Sequence, residues 1–300
     1  DPNKASGFKQ NVFEENAELS QVWIAALNDA GSEARTVSVP GSVSSVSWSP
    51  DGKQLLVKAS PSPRVDDVYM KSQAHVVDAA SGKLVQVFKR PGKLGRVRWS
   101  PDGRHVAMVA GRDLHDTRPG RLVIGDVKTG SMTELLPKAL WHANDVHWLD
   151  NDTVLYMATE GSYTTIGRVN TDDSGHSVLV SPQGPVFWGL SLSKDGRVAS
   201  LHGSAVAHAS EVFRYRVGHG APKRVTHHNT WLKDRALGAQ EVVTYKARDG
   251  LSIEGILVRP VGEKKGKRYP LVVQVHGGPE SSVSNAWVTG YSRFGQVGAG

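Results

Sequence analysis

His276, Gly277, Gly278 and Pro279 stand directly after the apolar run PLVVQV at 270–275. Two successive glycines remove both Cβ atoms and open unusual φ/ψ values. A main-chain N–H can then point at an incoming oxygen without steric obstruction. The chemistry this serves is stabilisation of negative charge as it develops on a substrate oxygen. A simple tight turn is the plainer alternative. The run before it is continuously apolar, which suits a strand buried on both faces of a mostly parallel sheet. Open sheets of that kind place ligands at the carboxyl ends of their strands.

The rest of a hydrolytic apparatus is harder to find. A serine hydrolase needs a nucleophile, a base and an orienting acid, with the nucleophile in a G-x-S-x-G elbow. No such pentapeptide occurs in the 300 residues. His276 precedes any nucleophile in chain order and belongs to the turn. The chain has no cysteine, which excludes disulfides, thiolate catalysis and cysteine-bound zinc and fits cytoplasm and periplasm equally. His227–His228 and the His142/His147 pair lack metal-ligand spacing, so no metal or other cofactor is expected.

The elements that must position the turn are mostly strands, organised by an internal repeat. SSVSWSPDGKQLLVKAS (44–60) is echoed by LGRVRWSPDGRHVAMVAG (94–111), ANDVHWLDNDTVLYMATE (143–160) and FWGLSLSKDGRVASLHG (187–203). Their anchors, Trp48, Trp99, Trp148 and Leu192, lie 51, 49 and 44 residues apart. Val46 and Trp48 alternate with polar residues, as do Val97 and Trp99, the mark of half-buried strands. Pro-Asp-Gly between the two strands supplies turn chemistry. Asp51 and Asp102 are read as turn-holders, and the three tryptophans as packing between repeats. A second family of lines fills the gaps, at 22–31, 74–82, 121–130, 164–175 and 211–220. Four short strands per unit of ~45 residues describe a β-propeller blade. Five second lines against four first lines predict about four and a half blades, the chain opening inside one. An N-terminal stretch is therefore expected to be missing.

Two polar insertions, 60–70 and 111–120, each follow the second strand of a blade and should emerge on one face. Asp66, Asp67, Arg112, His115 and Asp116 are candidate ligand contacts there, set against plain solvated loops. After about residue 225 the repeat stops. An irregular stretch at 227–240, anchored by Trp231 and Leu232, leads to a predicted hairpin, 241–247 and 251–260, around Asp249–Gly250.

Composition sets limits. Hydrophobic residues make up 39% and charged residues 22%, ordinary for a globular protein of roughly two domains by length. No run approaches the ~20 apolar residues of a membrane span, and no export leader is visible. The formal charge is +7, and residues 221–270 hold 11 Lys/Arg against 5 Asp/Glu. The basic run at 263–268 lacks interleaved aromatics and reads as a solvated loop, so no nucleic-acid partner is expected.

The WSPDG repeats, HHNTWL, YKARDGLSIEGILVRP and YPLVVQVHGGPE together resemble the prolyl oligopeptidase family of serine peptidases, nearest its acylaminoacyl- and dipeptidyl-peptidase branches. The resemblance is loose in the repeats and specific from 241 to 280. It implies a mostly β chain: a β-propeller over 1–226, then a linker and the start of an α/β-hydrolase domain over 227–300. In α/β-hydrolases a loop of the HGGG type contributes an N–H to the oxyanion hole. The resemblance accordingly implies that role for the backbone of Gly278 or Gly277, with His276 in the same turn. It also implies that the nucleophile lies well downstream, so Ser281, Ser282 and Ser284 are not it. The implied activity is cleavage of short peptides through an acyl-enzyme, with the propeller restricting access. The 300-residue chain alone is expected to be an inactive fragment. Unpaired sheet edges favour association, so a homo-oligomer is expected. Two rivals stand beside this reading: a non-enzymatic propeller scaffold, which leaves the hairpin and HGGP turn unexplained, and an esterase-type hydrolase, which leaves the blades unexplained.

Overall fold

The computed structural model describes residues 7, 18–27, 33–115, 119–278, 281–290 and 293–300. Strands β1 (Val22–Ile24) and β2 (Arg35–Val37) pair antiparallel. Four four-stranded antiparallel meanders follow, each in simple spatial order. The first holds β3 (Ser42–Trp48), β4 (Gln54–Ser60), β5 (Gln73–Asp78) and β6 (Leu84–Phe88). The second holds β7 (Leu94–Trp99), β8 (His105–Ala110), β9 (Arg121–Asp126) and β10 (Met132–Leu135). The third holds β11 (His142–Trp148), β12 (Thr153–Glu160), β13 (Tyr163–Asn170) and β14 (Ser177–Val180). The fourth holds β15 (Val186–Leu192), β16 (Val198–Ala205), β17 (His208–Arg216) and β18 (His219–Arg224). These are the four repeats read in the sequence, and β1 and β2 form a two-stranded sheet that packs against the first of them. The fold is that of a β-propeller. Two compact units divide the chain, residues 1–116 with 123–133, and residues 117–122 with 134–300.

The repeat survives as hydrogen bonds. Ser49 Oγ donates to Asp51 Oδ1 at 2.6 Å, Lys53 N donates to the same oxygen, and Gln54 N donates to Ser49 Oγ at 2.9 Å. Ser100, Asp102, Arg104 and His105 repeat this set, as do Ser193, Asp195, Arg197 and Val198. Burial disfavours the Asp102 charge, but hydrogen bonds from Ser100 and Arg104 outweigh it and hold the carboxyl at about 2. These aspartates close turns, as the sequence implies. In the third blade Asp150 Oδ1 takes over, accepting from Asp152 N and Thr153 N.

Between blades the alternating strands bury matching faces. Leu56, Ala74, Val76 and Phe88 of the first blade meet Leu94, Val106, Met108 and Val123 of the second. Leu155, Met157 and Ile166 of the third meet Phe187, Leu201, Phe213 and Tyr215 of the fourth. Each fully buried Val, Leu, Ile, Phe or Met among them contributes about 1.5–3 kcal/mol. Trp99 packs on the first of these cores and Trp148 is buried. Trp48 is not: it is 53% exposed. It lies opposite Leu55 on the face toward β1 and β2, and among the described residues that short pair leaves its indole half uncovered.

Pro40–Gly41 and Pro91–Gly92 precede the first strands of two successive blades, a repeat the sequence reading passed over. Both glycines have positive φ, +86° and +84°. A Cβ would lie 1.9 Å from the Ser60 carbonyl oxygen at Gly41, and 1.9 Å from that of Asp113 at Gly92. The entry to each blade is threaded past the chain leaving that blade's second strand, and only glycine passes.

Three further expectations change. The 60–70 insertion is not a plain loop, since Val65–Met70 forms a short helix, α1. In the linker, Thr230–Asp234 is a 3-10 helix that buries Leu232, whereas Trp231 is 56% exposed and is no anchor. The hairpin forms as expected, β19 (Gln240–Lys246) against β20 (Ser252–Val258). The run 270–275 does not form a buried strand: Leu271, Val272, Val273 and Val275 are 71–83% exposed. Apolar composition gives a segment the capacity to be buried, but a ladder partner and covering faces must be supplied by other elements. Among the described residues none supplies them. No helix among the described residues is long and apolar enough to cross a membrane.

Candidate functional site

The path to the His276 turn begins at the last blade. Glu211, on β17, is buried. It accepts from Thr226 Oγ1, from His228 N at 2.8 Å, and pairs with His228 Nδ1 at 3.0 Å. These contacts clasp the chain leaving the propeller to the blade it leaves, and they are the work of His228 in this structure. Burial pushes the Glu211 carboxyl up, but the Thr226 and His228 hydrogen bonds outweigh it and hold it at about 2, below its ordinary 4.5. A lowered folded-state pKa contributes stability above the unfolded value and loses it as pH falls through the folded one. Acid unfolding of the wild type therefore loses this contribution between about pH 4.5 and 2. Glu211→Gln, which lacks the titration, should be less stable at neutral pH and show a flatter dependence across that window. Parallel curves for the two proteins would refute the clasp.

The hairpin comes next, tied to the propeller by Ser162 Oγ donating to Glu254 Oε2 at 2.9 Å. Its base is closed by Arg259, which bonds Glu241 and Glu263, and by Gln296, whose side chain bonds both N and O of Gly238. The segment 261–278 then runs without regular structure. The basic stretch within it is solvated, with Lys267 over the Tyr269 ring.

At the turn itself the His276 ring, through Nδ1, bonds Gly277 O at 3.0 Å. Gly277 and Gly278 are exposed, and a Cβ on Gly277 would meet nothing within 4 Å. The φ of Gly277 lies outside the left-handed region. Neither crowding nor backbone strain demands glycine at 277 in this conformation. What the diglycine leaves is an open main chain. Among the described residues no hydrogen bond engages the N–H of Gly277 or Gly278. Pro279 and Glu280 lie outside the described residues. Beyond them the chain is anchored again at Asn285–Trp287, against the third and fourth blades.

The insertion residues are placed elsewhere. Asp67 pairs with Lys71 at 2.8 Å and accepts from Ser62 Oγ at 2.6 Å, contacts that lower its pKa. Asp66 is exposed on α1, Arg112 is exposed, and His115 pairs with Asp113 at 3.0 Å. Asp116 lies outside the described residues. The two insertions do converge: Lys93 sits over the Tyr69 ring, and Gly111 N donates to Lys93 O at 2.7 Å. They share one side of their unit, as blade order implies. Asp67 serves its own loop.

The residues sequence reading missed are Ser162, Tyr163, Gln240, Glu254 and Asn285. Each is an ordinary polar residue with no motif around it. Only folding brings residues separated by 45 to 122 positions into hydrogen-bond contact.

Propeller blades followed by a hairpin and an open His-Gly-Gly turn define the class: a β-propeller protein with a C-terminal hairpin and an irregular segment after it. The resemblance to the prolyl oligopeptidase family holds in comparison with known proteins. Dipeptidyl-peptidase 5 of Porphyromonas gingivalis is 24% identical over 248 residues, covering 80% of this chain and 36% of the relative. Dipeptidyl peptidase 4 of Porphyromonas gingivalis superposes with a TM-score of 0.66 at 16% identity, over 87% of this chain and 38% of that one. Puromycin hydrolase superposes with a TM-score of 0.63 at 19% identity, over 85% and 40%. The chain thus spans little more than a third of the length of its curated relative. No family model matches it. These relatives are peptidases and hydrolases, and the two structural likenesses bear on the fold.

Proposed function

We propose that the complete protein is a serine-type peptidase, of the acylaminoacyl- or dipeptidyl-peptidase kind, acting on short peptides. One observation carries the reading: a dipeptidyl peptidase matches 80% of this chain. The domain boundary proposed is 226/227, with the propeller before it limiting access to peptides small enough to enter. The segment after it opens an α/β-hydrolase module, in which 270–275 becomes a covered strand. The main-chain N–H of Gly278 or Gly277 donates to the carbonyl oxygen as serine attacks and negative charge gathers there. Preorganised donors of this kind act most strongly where water is excluded.

The test is the complete protein assayed on dipeptidyl and acylaminoacyl amides beside simple esters, with a serine-directed covalent inhibitor. Amide hydrolysis abolished by the inhibitor is the expected result. Hydrolysis of esters alone would assign an esterase, and binding of peptides without turnover would assign a scaffold. The 300-residue chain by itself, with no G-x-S-x-G, should show no turnover in the same assay.

A further inference from the structure

Resting on the peptidase reading, we infer that Asn285 is a positioning residue, docking the segment after the diglycine turn onto the turn ends of the third and fourth blades. Asn285 is 8% exposed. Its Nδ2 donates to Tyr163 Oη at 2.8 Å, and its Oδ1 accepts from Gln240 Nε2 at 2.9 Å. Its main-chain N donates to Ser162 O at 2.8 Å. The same Gln240 amide nitrogen also reaches Ala286 O, and Trp287 N donates to Ser204 Oγ at 3.0 Å. One side chain therefore joins the β12–β13 turn of a blade, the first strand of the hairpin, and the segment just past His276–Gly278.

The chemistry favours a fixed geometry. A buried amide with both ends bonded locks its rotamer; losing it takes the amide partner from the Tyr163 hydroxyl and leaves the Gln240 amide nitrogen with Ala286 O alone. Residues 271–278 themselves are exposed and without regular structure. The upstream anchor is the Ser162–Glu254 bond, on the neighbour of Tyr163. Both contacts thus use one turn of the third blade, which ties the hairpin and the segment after the diglycine to the same place.

The test combines hydrogen exchange with kinetics on the complete protein. In the wild type the amides of Asn285 and Trp287 should be protected. In Asn285→Ala their protection should fall by about tenfold, the worth of one lost hydrogen bond. kcat on a dipeptidyl amide should fall by about tenfold to a hundredfold with KM little changed, because small displacements of catalytic groups act on the chemical step. Tyr163→Phe, which keeps the ring, should show the same pattern at smaller size and serves if Asn285→Ala does not fold. Unchanged exchange in both variants overturns the docking, and lost protection with unchanged kcat overturns the positioning role. If the wild type hydrolyses no peptide, the peptidase reading fails and the exchange result alone decides the docking.

Discussion

Gly278→Pro in the complete protein should lower kcat on a peptide amide by about a hundred- to a thousandfold, the usual effect of deleting one oxyanion donor. Proline lacks the N–H that the proposed mechanism requires. The residue that follows, Pro279, has none to offer instead. Gly277→Pro is the companion variant, because either glycine satisfies the chain order. The variant with the larger loss of kcat identifies the donor. KM should move little in that variant, since the interaction forms as charge develops and not in the bound substrate. Circular dichroism and the exchange protection at Asn285 serve as controls for folding. A kcat within a few-fold of wild type in both variants would remove the oxyanion role from this turn and leave it a plain tight corner.

The second large effect is on stability. Gly92→Ala should destabilise its unit by about 3 kcal/mol. Left-handed backbone at a non-glycine residue costs about 1–3 kcal/mol, and forcing atoms into a filled site adds a similar amount. The obstacle at Gly92 is the Asp113 backbone oxygen, 1.9 Å from where the Cβ would stand. A main-chain carbonyl cannot swing aside as a side chain can. Gly218→Ala separates the two contributions: Gly218 has φ +76° and nothing within 4 Å. It should show the conformational cost alone, about 1 kcal/mol. Urea titration followed by tryptophan fluorescence reads both. Equal midpoints for the two variants would mean that the blade entry relaxes freely and that the Pro-Gly repeat carries no steric demand.

Much of the architecture is legible without coordinates because it is local. The Ser-x-Asp-Gly turn closes through atoms within five residues of one another, so its hydrogen bonds are written in the motif. Alternation in Val97–Trp99 or Val46–Trp48 tells which residues share a face, since successive strand residues point to opposite sides. Pairing follows from adjacency in a meander, where each strand bonds the next. The Gly250 corner of the hairpin is legible for the same reason: Asp249 Oδ1 accepts from Leu251 N two residues on. Even so, alternation does not report what covers a face, which is why Trp48 and Trp99 read alike and differ in burial.

The sequence by itself determined the blades, their turns, the hairpin and the position of the diglycine. Those features depend on backbone geometry over a few residues, where residue type dictates conformation. Tertiary structure alone decided that 270–275 stands uncovered among the described residues, that Pro40–Gly41 and Pro91–Gly92 are steric gates, and that Glu211 and Asn285 are clasps. Each of these is settled by an atom contributed from a distant part of the chain, and a hydrogen bond or a clash at 2–3 Å leaves no trace in the spacing of the residues that make it.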